Sequence, residues 1–258
     1  YLNQVFVGLF RPDGNALPRW DGNLKQYKRG ILNNKLKLLD ADDAAAINSQ
    51  TGFLTECARS FWTPSTVDDY WAFKQQGNCL TVTDSASSNY PDGNIVEKGA
   101  AAYELRSSTS RTVKTCDTTF ADCTALVNFS SSVATQAALG AADTTEQSEL
   151  IRWQYGLDID DENADGVTTG EMRPSIHGDV VHSRPVAINY GTNADPEVVV
   201  YYGANDGMLH AINGNRSDAF SSTDAGDEFW AFIPPEFFSQ IKRLRDNDTQ
   251  IDYLGNTT

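Results

Sequence analysis

Short apolar runs separated by turn-forming residues dominate the chain, and helical periodicity is confined to a few stretches. Val5 to Phe10 (VFVGLF) has the length and composition of a strand, and the RPDGNALP after it is rich in turn formers. A DGN turn then leads into NLKQYK, which predicts an amphipathic strand. KLKLLDA alternates with period two and places Leu36 and Leu38 on one face. An irregular insertion is expected at about 44–98, with Trp62 and Trp71 as anchors. Gly99 to Thr115 predicts strands, most clearly in RTVKT (Arg111 to Thr115). Ser132 to Tyr155 predicts a helix ending near Gly156. The clearest architecture runs from Val180 to Pro234. VVHSRPVAINYG is broken by Pro185, which predicts an edge or bulged strand. VVVYYG and MLHAI predict a hairpin across ANDG, with Asp206-Gly207 suited to positive φ. EFWAFI predicts a further strand, and FFSQIKRLR (Phe237 to Arg245) a short helix after Pro234-Pro235. Successive short antiparallel strands of this kind describe one four-stranded propeller blade, and equally a meander from a sandwich or barrel.

Composition narrows the function classes. The 258 residues carry 20 Lys and Arg against 35 Asp and Glu, a formal net charge of −15. Such a balance repels nucleic-acid phosphates and anionic lipid surfaces and favours divalent cations. No run reaches the roughly 20 apolar residues of a membrane-spanning helix. The chain opens at Tyr1 with no initiator Met and no signal-type leader, so it is expected to be an internal piece of a longer protein. Four cysteines allow two disulfides in three pairings. Local bridges, Cys116 with Cys123 and Cys57 with Cys79, are favoured and imply an oxidising periplasmic or extracellular setting.

The sharpest chemical candidate is DIDDENADGVTTGE, Asp158 to Glu171. Asp161, Asn163 and Asp165 have the one-three-five spacing of a calcium loop, with Gly166 at the sharp turn and Val167 offering its carbonyl. Met172 stands at the twelfth position, where such loops carry a bidentate glutamate, and Glu171 falls one residue early. The expected metal set is therefore Asp161, Asn163, Asp165, Val167 and Glu171, with calcium as the ion. Catalytic signals are poor. His177 and His182 lack metalloprotease spacing, and a triad from Asp179, His182 and Ser183 has no nucleophile elbow. His210, inside MLHAI, reads as a strand histidine with satisfied hydrogen bonds. No phosphate-binding glycine loop is present.

Four segments, RWDGNLKQYK, GDVVHSRPV, VVVYYGANDGMLHAINGN and GDEFWAFIPPEFF, together resemble the C-terminal domain of the PilY family, in the family's order, from about Trp20 to Phe238. The resemblance implies a mainly β fold: an incomplete β-propeller with quinoprotein-dehydrogenase-like blades, long loop insertions and a few short helices. The whole of 1–258 would be part of one such domain, with the insertion at about 44–98 and a helical and acidic segment at about 132–175. It implies no enzyme activity. The implied role is type IV pilus assembly and retraction, tip display and surface adhesion. The partners would be minor pilins and, through an N-terminal region not present here, a host or abiotic surface. The location would be extracellular, reached through the periplasm. The calcium loop of that family resembles DxNxDGxxD and lies further toward the C-terminus, so the acidic loop here would be a separate feature. Loops Asn193 to Glu197 and Asn213 to Asp227 are candidate docking sites. The same strands also resemble a repeat of quinoprotein dehydrogenases, which bind pyrroloquinoline quinone and calcium. Only one copy of that repeat is clear, and no two cysteines are adjacent.

Overall fold

The computed structural model describes residues 2–65, 91–108, 110–119 and 122–250. Among them, strands β1 (Gln4–Arg11), β2 (Asp21–Leu32) and β3 (Lys35–Leu39) form an antiparallel meander in the order β1-β2-β3. Asn33 and Asn34 join β2 to β3 with φ of 52° and 58°. A two-residue hairpin turn of matching twist needs positive φ at both positions, and asparagine tolerates it.

The second sheet holds β4 (Val113–Cys116), β5 (Leu126–Asn128), β6 (Val186–Asn189), β7 (Val198–Ala204), β8 (Met208–Asn213) and β9 (Glu228–Phe232). Their order is β5-β4-β9-β8-β7-β6. Strands β6 to β9 are consecutive and antiparallel, as a blade-like meander requires. The pair β4 and β5 widens this unit, with β4 joining β9 in parallel. Gly207 turns the β7–β8 hairpin at φ 84°. β6 begins directly after Pro185 and is an edge strand, as the proline implies.

The inner face of the wide sheet is covered twice. Helices α2 (Gln136–Leu139), α3 (Thr144–Gln154) and α4 (Phe238–Asp246) place Leu139, Leu150, Trp153, Phe238 and Ile241 against Val113, Met208 and Ala231. Leu24 of β2, with Trp62 and Ala100, covers Val198, Val200, Tyr202 and Ile212. The outer face carries exposed Leu126, Val186, Ile188 and Leu209. The fold is thus mainly β with short helices, and its two sheets do not close into a ring among the described residues.

Three local expectations change. Part of Gly99 to Thr115 is helix α1 (Ala100–Ser107), and only Val113–Cys116 is strand. Three successive alanines favour helix, and Gly99, at φ 72°, turns the chain into it. The expected single helix over Ser132 to Tyr155 is two, because left-handed Gly140 ends α2 and Asp143 caps α3 by accepting from the amides of Thr145 and Glu146. NLKQYK is not amphipathic, since Gly22 to Tyr27 are buried on both faces. Cys116 and Cys123 are bridged as expected. Cys57 is also disulfide-bonded; Cys79 and Trp71 lie outside the described residues.

Candidate functional site

The segments with the most distinctive sequence meet in space. Asp21 at the start of β2 bridges Gly178, and a Cβ on Gly22 would lie 2.0 Å from the Gly178 carbonyl oxygen. A Cβ on Gly178 would lie 2.3 Å from the Asp206 amide nitrogen. Glycine is therefore required wherever the 177–179 segment is clamped between β2 and the β7–β8 turn. Asn205 completes the clamp: its amide donates to the Asp179 carbonyl at 2.9 Å, and its Nδ2 to Asp179 Oδ1 at 2.7 Å. Next along β2, Asn23 Nδ2 donates to the carbonyls of Val96 and Gly99 at 2.9 Å, while its Oδ1 accepts from the Ala102 amide. Lys25 is wholly buried. Its Nζ lies 2.7 Å from Asp92 Oδ2 and donates to the Ile95 carbonyl at 2.8 Å. Ser60 Oγ also donates to Asp92 at 2.7 Å. Every residue of GNLK is thus engaged in holding the chain together.

Beneath the clamp lies a buried charged network. His210 on β8 contacts Asp206 Oδ2 through Nε2 at 3.0 Å and Glu228 Oε1 through Nδ1 at 2.8 Å. Arg111 grips both oxygens of Glu228 at 2.9 Å. His177 stacks on His210 and on Tyr202 and meets the Tyr202 hydroxyl at 2.7 Å through Nε2. Burial opposes charge on His210, but Asp206 and Glu228 outweigh it and raise the imidazole to about 9. Burial, and then His210, lower His177 to about 4. Glu228 is held at about 2 by Arg111 and His210 despite its burial. His210 is therefore a charged, fully partnered group, and His177 a neutral one. The network is sealed from solvent and offers no substrate access, so its chemistry is that of a structural tie.

The five expected metal residues sit on one exposed loop between α3 and the clamp. The loop is closed at its neck by the Asp158 amide donating to the Glu171 carbonyl at 3.0 Å and by a bridge from Leu157 to Met172. Asp161 Oδ1 accepts from the amides of Asp165 and Gly166 at 3.0 and 3.1 Å. Asn163 Oδ1 accepts from the Asp165 amide, and Asp165 Oδ1 from the Val167 amide at 2.8 Å. These turns coil the backbone as expected, with Gly166 at φ 87°. Among the described residues, no three His, Cys, Asp or Glu side chains are gathered closely enough to hold a metal. At the neck, however, Asp158 Oδ2 and Glu171 Oε1 are buried atoms without a hydrogen-bond partner. Burial raises both carboxyls, and the surrounding loop carboxylates raise them further. Hard oxygen donors with unspent lone pairs suit a calcium ion, whose binding would draw Asp161 and Asp165 inward. Asp158 is a neck carboxylate that the one-three-five spacing does not include. Its signal was its place three residues before the motif, where the loop must close.

Other candidates resolve plainly. Ser183 Oγ accepts from the Gly203 amide at 2.9 Å, and Asp179 is engaged by Asn205, so Asp179, His182 and Ser183 do not assemble a triad. Loop Asn213 to Asp227 is organised internally, with Asn213 Nδ2 donating to the carbonyls of Asp218 and Thr223. Loop Asn193 to Glu197 is tied by Asn189 Oδ1, which accepts from the Glu197 amide at 2.9 Å. An apolar groove of about 540 Å³ opens beside the β7–β8 turn, lined in part by Pro18, Met208, Phe237 and Leu244. A second depression of about 390 Å³, lined by Leu126, Leu209, Trp230 and Phe232, lies on the outer face of the wide sheet. No helix among the described residues is long and apolar enough to cross a membrane.

Known proteins show a consistent likeness. The type IV pilus biogenesis factor PilY1 of Pseudomonas aeruginosa strain PAK is 33% identical over 124 residues, covering 40% of this chain and 9% of that protein. A PilY1 homolog of Xylella fastidiosa strain Temecula1 is 30% identical over 152 residues, 50% of this chain and 11% of that protein. PilY1 of Pseudomonas aeruginosa strain PAO1 is 34% identical over 104 residues, 32% of this chain and 8% of that protein. The matched stretches span about a tenth of the length of these relatives. No family model matches the chain, and no solved structure matches it.

Proposed function

We propose, from the likeness to PilY1 sequences over 32–50% of this chain, that it is a non-enzymatic part of a β-propeller of the PilY family that serves type IV pilus biogenesis at the pilus tip. The observation that carries the proposal is the fate of the family-like segments. Most of their distinctive residues, among them Asn23, Lys25, His177, Asp179, Asp206, His210 and Glu228, are taken up in the buried clamp and charged network, so these segments build a platform. The apolar outer face of the wide sheet supports the propeller reading, since a blade buries both faces by stacking on its neighbours. In this reading the fold lies in the envelope or outside the cell, supports pilus assembly and retraction, and docks on minor pilins. Adhesion to a host or abiotic surface belongs to other parts of the longer protein.

We further propose that calcium modulates this platform through the loop from Asp158 to Glu171. Asp158, Asp161, Asn163, Asp165 and Glu171 supply side-chain oxygens and Val167 its carbonyl. The ion would neutralise the carboxylates that now face one another. Bound calcium would stiffen the loop against α3 and the clamp.

Immunogold labelling of intact filaments with antibody to this chain tests the location. Label at filament ends supports the tip platform. Protein found only in the soluble periplasm, with bare filaments, would remove it.

A further inference from the structure

The net charge of −15 is an average, and one element departs from it sharply. Residues 28–37, KRGILNNKLK, contain four basic residues and no acidic one. They form the far end of the β2–β3 hairpin. β1 pairs with β2 only as far as Lys28, so beyond that point the hairpin is a two-stranded ribbon. Ile31 and Leu36 face each other across this ribbon and are 67% and 62% exposed. Lys28 pairs with Asp43 at 2.6 Å, and Arg29 reaches the Asn3 side chain. Lys35 and Lys37 have no carboxylate partner among the described residues.

We propose that this hairpin tip is a docking finger for anionic lipid bilayers. Ile31 and Leu36 share one face of the ribbon with Arg29 and enter the boundary between headgroups and acyl chains, while Lys35 and Lys37, on the opposite face, meet the headgroup phosphates above them. The composition selects lipid over a protein partner. Protein interfaces are enriched in Trp, Tyr and Arg and depleted in Lys. Lysine beside aliphatic residues suits a bilayer, because its stem lies along apolar surface while its ammonium reaches the headgroups. The acidic body does not cancel the attraction. Lys35, paired with Leu32, stands four strand steps from Lys28, about 13 Å at roughly 3.3 Å each and beyond the Debye length of about 8 Å at physiological salt. Charge complementarity is therefore local to the tip. The inference stands apart from the pilus proposal, since it rests on the hairpin alone.

The test is co-sedimentation of the whole chain with vesicles of phosphatidylcholine containing phosphatidylglycerol, against vesicles of phosphatidylcholine alone, at about 0.15 M and about 1 M salt. Binding is expected to the anionic vesicles at the lower salt and to be lost at the higher. Lys35→Glu/Lys37→Glu is expected to weaken it at least about tenfold, each basic residue near an anionic surface contributing severalfold. Ile31→Ser/Leu36→Ser is expected to weaken it at unchanged charge, with the melting temperature of both variants nearly unaltered because Ile31, Lys35 and Leu36 are exposed and Lys37 is half-buried. Equal binding to both vesicle types, or binding that both variants retain, overturns the proposal. Absence of binding overturns it too and leaves the lysines as guards of an edge strand. Soluble poly-glutamate that displaces the vesicles and itself binds the chain as tightly would replace lipid with an acidic polypeptide.

Discussion

Two regions of this protein concentrate carboxylates, and they treat them in opposite ways. In the buried network, Asp206 and Glu228 are surrounded by Arg111 and His210, and each negative charge has its cation within 3.0 Å. In the loop from Asp158 to Glu171, the carboxylates turn onto backbone amides, and two neck oxygens are left without partners. Burial opposes the charged form in both places, more strongly in the network. Only the first region carries its compensation within the chain. Charge that is paired internally fixes a fold, whereas charge left facing like charge is poised for an ion from outside.

The largest expected effect lies in the first region. Arg111→Ala leaves buried Glu228 with His210 as its one cation, shared with Asp206, which should cost about 3 kcal/mol and show in chemical denaturation at pH 7. A loss below about 1 kcal/mol would mean that the network does not hold the fold. Next comes calcium. At a hundredfold excess over its dissociation constant it should stabilise the parent protein by about 2.7 kcal/mol. Asp161→Ala/Asp165→Ala should abolish that gain and leave the calcium-free melt nearly unchanged.

The pH profile separates the two histidines. His210 is raised to about 9, so its contribution is complete below its unfolded value near 6.5 and is lost as pH rises through about 9. His177 is lowered to about 4, so stability falls as pH drops from about 6.5 toward that value, where the unfolded chain binds the proton first. Melting temperature against pH should therefore peak near 6.5. His177→Asn should flatten the acid limb and leave the alkaline limb in place. A profile flat from about pH 5 to 9 would contradict the charge states assigned here.

Smaller effects sharpen the contrast. Glu171→Gln removes one of the facing charges and should stabilise the calcium-free protein by less than about 1 kcal/mol, since the loop is screened by solvent. Leu209→Ser, on the outer sheet face, should change this chain by no more than about 0.5 kcal/mol. In any assembly where a neighbouring blade covers that face, the same change should destabilise more strongly.

Much of the fold was legible because it is local. The β7–β8 hairpin announces itself by Asp206-Gly207 between apolar runs, Pro185 marks an edge, and the one-three-five acidic spacing marks the loop. What was hidden is long-range. Lys25 looks like the polar side of an exposed strand until Asp92, distant in sequence, is brought against it. Arg111 likewise gives no sign that its partner is Glu228. Helix α1 was masked by the strand-like RTVKT that follows it. His210 was correctly read as a satisfied strand histidine, but its charge depends on two carboxylates that only folding assembles. Asp158 escaped because its place at the neck depends on where the loop closes.

The most direct test of paired against unpaired charge is one set of thermal melts, with and without calcium, on the parent, Arg111→Ala and Asp158→Asn/Glu171→Gln. The account predicts that calcium raises the parent, fails to raise the loop variant, and raises Arg111→Ala by the parent's increment from a much lower start. Calcium that raises the loop variant as far as the parent, or an Arg111→Ala protein that melts with the parent, would contradict it.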